Sequence, residues 1–264
     1  MRTEAQYSSP VMDIFLLGTG TAIPVKQHSP AGLVVIADGK RLLFDIGPGT
    51  LSRLEQAGIS YDQLDQLLLT HFHPDHTLDL ATLLLVFNYA PGASRTSPFT
   101  ITSCTGIEAF LQRMYKLYPD LPPLGYELHV HPVRREEFPI GNIKIQSAPT
   151  GHTPESVAYR LELGGRSLVY SGDATPNGEL AELATGADLL ISECSFPAGW
   201  KTEDHLNAES LGLLANRAGV KSLVVTHCYP PALAVDLVGQ IRDHYSGEVQ
   251  LAVDGLHISL DGTD

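Results

Sequence analysis

The sequence predicts an α/β fold in which sheets are covered by helices. Three observations predict it. Short β-type runs alternate with longer runs of helical period from end to end. The pair Asp38-Gly39 stands between two such short runs as a hairpin turn, so the sheets are not purely parallel. The chain has 264 residues, 43% of them apolar and 18% charged, which is enough for a sizeable core and excludes a disordered or fibrous chain.

The elements follow in order. An apolar strand over residues 11–17 runs into the turn Gly18-Thr19-Gly20-Thr21, and residues 33–37 and 41–45 are the arms of the hairpin. Helical spacing over 49–57 stops at Gly58, a C-terminal cap. Residues 67–70 are a buried strand, and 77–89 a strongly apolar helix ended near Pro91-Gly92. A strand at 99–102, an amphipathic helix at 106–118 and a proline-rich stretch at 119–123 come next. Strands are expected at 126–133, 143–148, 156–163 and 167–170. Helix and strand then alternate again: helix 179–184, strand 188–192, helix 208–218, strand 222–226 and helix 233–245, closed by strands 249–253 and 257–260. The absence of a linker with shifted composition suggests one domain over 1–264, with comparable halves of roughly 11–150 and 151–264.

Composition narrows the function. Seventeen Lys and Arg against thirty Asp and Glu leave a net charge of −13, which argues against a protein that grips long nucleic acid. Arg134-Arg135 and the Arg113/Lys116 helix face are modest basic spots of the kind that solvated faces carry. Charged, Pro or Gly residues interrupt every apolar run before it reaches membrane-spanning length, and residues 1–10 have no apolar core of the secretory type. Cys104, Cys194 and Cys228 form no CxxC pair and no disulfide framework, so a cytoplasmic location is expected.

Chemistry concentrates in Thr70-His71-Phe72-His73-Pro74-Asp75-His76, where a buried strand ends and an apolar helix begins. His71 and His73, two apart, project together from an extended segment, while Asp75 and His76 lie on the turn into the helix and point to an adjacent position. Such crowding suits two metal ions better than one.

His71-x-His73-x-Asp75-His76 resembles the HxHxDH motif of the metallo-β-lactamase-fold hydrolases. The resemblance implies an αββα four-layer sandwich, two mixed sheets flanked by helices, and further ligands that His152, Asp173 and His227 supply, each just after an expected strand. It implies one metal site of His71, His73 and His152, another of Asp75, His76 and His227, and Asp173 bridging the two. Two divalent ions are expected; the nitrogen-rich set suits Zn²⁺, with Mn²⁺ and Fe as alternatives. Relatives that reduce oxygen at iron carry Glu at the second motif position; His73 stands there in this chain, which favours hydrolysis.

Leu17-Gly18-Thr19-Gly20-Thr21 and Leu43-Phe44-Asp45-Ile46-Gly47-Pro48-Gly49-Thr50 resemble the ribonuclease Z branch, as do Ser192-Glu193-Cys194 and Asp204-His205-Leu206. The Gly18/Gly20 pair lacks the third glycine of a dinucleotide fingerprint, since Ile23 stands in its place, and reads as a tight turn. Asp45 is expected to hold a ligand histidine. In that branch a Glu is paired with a His beside the metals; Glu193 would orient His205, and His205 would protonate the leaving oxygen or stabilise the charge developing on the phosphoryl group. Asp75, Glu193 and His205 are thus the candidate catalytic residues, with water activated by the ions as the nucleophile.

Ribonuclease Z proteins that mature transfer RNA usually carry a long clamping arm, in many bacterial members between the middle His and the bridging Asp. Only residues 153–172 separate His152 from Asp173, too few for it. The expected activity is therefore hydrolysis of a small or cyclic phosphodiester. Alternatives are another ester class (sulfate ester, lactone or β-lactam) and transfer-RNA 3′ processing. The expected partners are the small substrate and a second copy in a homodimer, without a membrane.

Overall fold

Alternation along the strands decides the architecture. In the strand carrying Leu67, Leu68 and Leu69, the outer two side chains join one apolar cluster and Leu68 joins another. Leu190 and Ile191, and likewise Leu223 and Val224, divide in the same way between a third cluster and the one holding Leu68. A strand apolar on both faces must be covered on both faces. One cluster therefore lies between two sheets, and each of the other two lies between a sheet and its helices.

A computed structural model describes residues 12–92 and 94–261. The first sheet contains β1 (Met12–Gly18), β2 (Gly32–Ala37), β3 (Lys40–Phe44), β4 (Gln66–Leu69), β5 (Phe99–Cys104) and β6 (Leu128–Val133) in that spatial order. The second contains β7 (Glu136–Ile140), β8 (Ile143–Pro149), β9 (Val157–Leu163), β10 (Arg166–Tyr170), β11 (Leu189–Glu193), β12 (Ser222–Thr226) and β13 (Glu248–Leu251), also in chain order. The last strand, β14 (Leu256–Leu260), returns to the first sheet antiparallel to β1.

Helices α1 (Thr50–Gln56), α2 (Pro74–Thr77), α3 (Asp79–Tyr89) and α4 (Ile107–Leu117) belong to the first half of the chain. Leu54, Leu80, Leu84, Phe87 and Leu111 pack them on the first sheet. Helices α5 (Leu180–Leu183), α6 (Ala208–Ala218), α7 (Pro230–Leu233) and α8 (Leu237–Arg242) follow, with Leu180, Leu211, Ala215 and Ile241 packed on the second. Both sheets mix parallel and antiparallel pairs, so the expected order helix, sheet, sheet, helix is the one observed. None of the described helices is long and apolar enough to cross a membrane.

Three local expectations change. Strand β7 was not expected, since it carries Pro139 and two consecutive glutamates; it tolerates them because it is an edge strand, paired only with β8. The helix expected over 233–245 is two helices, because the Asp236 side chain accepts from Gly239 N and starts a new one. The apolar helix begins at Asp79, and its first turn is a separate α2 with Pro74 at the start. Val11, the first residue of the first expected strand, lies outside the described residues, as does the 1–10 segment.

Candidate metal centre

Every proposed ligand lies beyond the carboxyl end of a strand: His71 and His73 after β4, His152 after β8, Asp173 after β10 and His227 after β12. These strands run in one direction within their sheets, so their ends open on one edge of the sandwich. The sheets are tied to each other there. Tyr159 of β9 donates its hydroxyl to Leu69 O at 2.8 Å, and Val157 N donates to Thr70 O at 3.0 Å. Gly172 (φ 55°) lies so close to Thr70 that a Cβ would stand 2.6 Å from the Thr70 Cβ. Only glycine lets Asp173 arrive beside His71.

The side chains converge as the motif implies. His71, His73, His152 and Asp173 form one cluster whose candidate ligand atoms lie within 4.8 Å of one another, and Asp75, His76 and His227 form a second. Asp173 stands between them: Oδ2 is 3.5 Å from His152 Nε2 and 3.8 Å from His71 Nε2, and Oδ1 is 3.4 Å from both His76 Nε2 and His227 Nδ1. His227 Nε2 is 3.3 Å from Asp75 Oδ2.

Hydrogen bonds fix which ring nitrogen faces inward. Thr70 Oγ1 donates to Asp45, so it accepts from His71 Nδ1 at 3.0 Å. His76 Nδ1 donates to Asp45 Oδ2 at 2.8 Å, and His152 Nδ1 to Asp204 O at 2.6 Å. Each ring thereby turns its Nε2 into the cluster, as metal-binding imidazoles do. Asp45, fully buried, also accepts from Thr70 N at 2.8 Å and from the Tyr170 hydroxyl at 3.0 Å. It holds the ring of His76, one of the histidines the sequence offers as a ligand.

The residues fit a pair of cations. Among the described residues, His71 Nε2 and Asp173 Oδ1 are buried polar atoms with no hydrogen-bond partner, an expensive state in a protein interior unless an ion supplies the contact. The ring nitrogens His152 Nε2 and His73 Nδ1 face each other at 3.1 Å, and His76 Nε2 and His227 Nε2 at 3.4 Å. Burial and the neighbouring His76 push His71 well below its usual pKa, leaving a neutral donor. Burial opposes charge at Asp173, but His227 and His76 outweigh it and hold the carboxyl well below the usual range.

Glu193 and His205, twelve residues apart in sequence, meet: His205 Nδ1 is 3.0 Å from Glu193 Oε1. Glu193 is fully buried and is aimed by Ala174 N, which donates to it at 2.6 Å, and by the Ser195 hydroxyl. Burial opposes a charge on His205, but the hydrogen bond and charge of Glu193 raise it to about 9. His205 Nδ1 lies 4.0 Å from Asp173 Oδ2, so the pair borders both clusters.

Four participants had no local signal in the sequence. Thr70 and Tyr170 serve Asp45, and Ser195 links Glu193, His205 and His227. Tyr229 stands edge-on to His205 and His227 with ring centroids 5.8 Å apart in each case. Tyr229, Phe196 and Trp200 form a ladder, Phe196 lying 5.3 Å from the first ring and 5.1 Å from the second. Cys228 is packed in the core, where burial pushes its thiol up to about 12.

Frame and cluster together define a metal-dependent hydrolase of the metallo-β-lactamase fold and of ribonuclease Z-like type. Residues 12–234 match the family model described as Anti-Pycsar protein Apyc1, and the chain belongs to that family. A ribonuclease Z of Mycolicibacterium gilvum is 31% identical over 83% of this chain and 85% of its own length. A ribonuclease Z of Mycobacterium bovis is 29% identical over 92% of this chain and 96% of its own. Of solved structures, the metallo-β-lactamase fold protein YhfI of Bacillus subtilis superposes with a TM-score of 0.82 at 25% identity, covering 96% of this chain and 100% of that one.

Proposed function

We propose that the chain hydrolyses small or cyclic phosphodiesters at a centre of two divalent ions, Zn²⁺ by the chemistry of the donors. The observation that carries this reading is the set of imidazole nitrogens converging on Asp173. His71, His73 and His152 would hold one ion, Asp75, His76 and His227 the other, with Asp173 shared. Such ions lower the pKa of water and neutralise phosphoryl oxygens.

The chain's own groups do the rest. Asp75, 3.3 Å from His227 Nε2, would share its carboxylate between an ion and the attacking water, and the oxygen turned to the water can take its proton. His205, charged at neutral pH with Nδ1 on Glu193, gives the proton on Nε2 to the departing alcohol oxygen. The exposed Trp200 and the ladder behind it offer a flat wall to an aryl or nucleoside group.

A homodimer in the cytoplasm is part of the same reading. Leu78, Leu85 and Leu117 are exposed along a groove of about 770 Å³ between α3 and α4, an apolar surface that a second copy would cover. Three free, buried cysteines accord with a reducing compartment. Transfer-RNA 3′ processing is the second reading, favoured by relatives that bear the name ribonuclease Z along 85–96% of their length.

The test is a substrate panel on protein stripped with a chelator and reloaded with Zn²⁺ or Mn²⁺. Turnover of bis(p-nitrophenyl) phosphate and cyclic nucleotides, lost on stripping and regained on reloading, is expected. A loaded protein that cleaves only sulfate esters or lactones overturns the reading; one that cleaves only precursor transfer RNA replaces it with the second.

A further inference from the structure

The Gly18-Thr19-Gly20 turn has no part in the reaction above, yet it touches the metal cluster through its backbone. His227 is in the left-handed region (φ 52°), which residues with a Cβ adopt uncommonly and which its neighbours therefore have to hold. Its N–H donates to Thr19 O at 2.8 Å, and the Thr226 hydroxyl reaches the same carbonyl at 3.3 Å. Thr19 is itself fixed from the far end of the chain. Asp254, in the turn between β13 and β14, accepts from Thr19 N and Thr19 Oγ1 at 2.9 Å each. Its second oxygen accepts from Ser29 N at 2.7 Å and pairs with the Arg53 guanidinium at 3.0 Å. Since Thr19 Oγ1 donates to Asp254, it accepts from His28 Nδ1 at 2.9 Å. The turn also lies flush against the next strand, since a Cβ on Gly18 would stand 1.8 Å from Pro30 O.

We infer that Asp254 is a positioning residue for His227: pairing of β14 with β1 seats this carboxylate, the carboxylate locks Thr19, and the Thr19 carbonyl holds the histidine in the conformation that closes the second cluster. This rests on the two-ion reading above. The first cluster hangs on other supports, the Thr70 hydroxyl under His71 and the Asp204 carbonyl under His152. Loss of Asp254 therefore weakens one ion and spares the other. A carboxylate that merely braced the fold would weaken both alike.

Calorimetric titration of Zn²⁺ into stripped protein separates the outcomes. In Asp254→Ala the second ion is expected to bind roughly 10- to 100-fold more weakly, the range for loss of a group that orients a ligand, with the first unchanged. Asp188→Asn is the control, a carboxylate similarly bonded to Ser167 and Lys221 at the opposite part of the second sheet; both affinities should stay as in the wild type. Where Asp254→Ala does not fold, Thr19→Val removes the hydroxyl alone and should weaken the second ion, with Thr19→Ser restoring it. Equal affinities in wild type and variants, or an equal fall at both sites, overturns the clamp. A wild type that binds fewer than two ions overturns the two-ion reading instead.

Discussion

Replacing Glu193 by Gln should uncouple His205 from its charge. The Gln oxygen can still accept from Ala174 N, but the negative charge 3.0 Å from His205 Nδ1 is gone. In the metal-free protein His205 is lifted from 6.5 to about 9, against the opposing effect of burial, chiefly by the hydrogen bond and charge of that carboxylate, with Asp173 and Asp204 adding to it. A rise of that size corresponds to about 3 kcal/mol, at roughly 1.4 kcal/mol per pKa unit. Because the folded value is the higher one, this stability is fully present below pH 6.5 and is lost as pH rises through about 9. Urea unfolding of stripped wild type and Glu193→Gln should show a gap that shrinks by about 3 kcal/mol from pH 6 to pH 10. NMR titration should find the His205 ring at about 9 in the wild type and clearly lower in the variant. A pH-independent gap, or a wild-type ring titrating near 6.5, would refute the reasoning.

Asp173→Asn removes the shared carboxylate, and metal analysis should find at most one tightly held ion per chain, with phosphodiester turnover abolished. Asp45→Ala strands the donors on His76, Thr70 and Tyr170 and should cost about 3–5 kcal/mol in urea unfolding. Gly172→Ala forces a methyl against Thr70 at a positive φ; a loss of about 2 kcal/mol or more is expected, with weaker metal uptake because Asp173 shifts. Trp200→Ala should raise KM for an aryl phosphodiester about tenfold with kcat nearly unchanged, as loss of one stacking surface does.

The His/Asp cluster was legible because metal chemistry admits few residue types and because four of its members fall within His71 to His76. Sheets covered by helices were legible in the alternation of short β-type runs with helical ones, while the four-layer order came with the resemblance carried by His71 to His76. What escaped depends on contacts far apart in sequence. Nothing near Ser195 announces that its hydroxyl sits between Glu193 and two histidines, and nothing near Asp254 announces a bond to Thr19 across 235 positions. Strand β7 escaped for the opposite reason: Pro139 is a local signal against a strand, overridden at an edge where one side makes no ladder.

Substrate size turns on what surrounds the cluster. Between His152 and Asp173 the chain is occupied by β9, the Gly164-Gly165 turn and β10, paired to each other along their length, so no arm leaves the sheet at that point. A polyanion would then have to be held by the surface of a chain with thirty acidic residues against seventeen basic ones. At the rim stand Trp200, Phe196 and Tyr229, whose stacked rings offer area without charge. In the proposed reading, such a rim offers stacking area to one flat group beside one phosphodiester, while a net charge of −13 opposes each further phosphate.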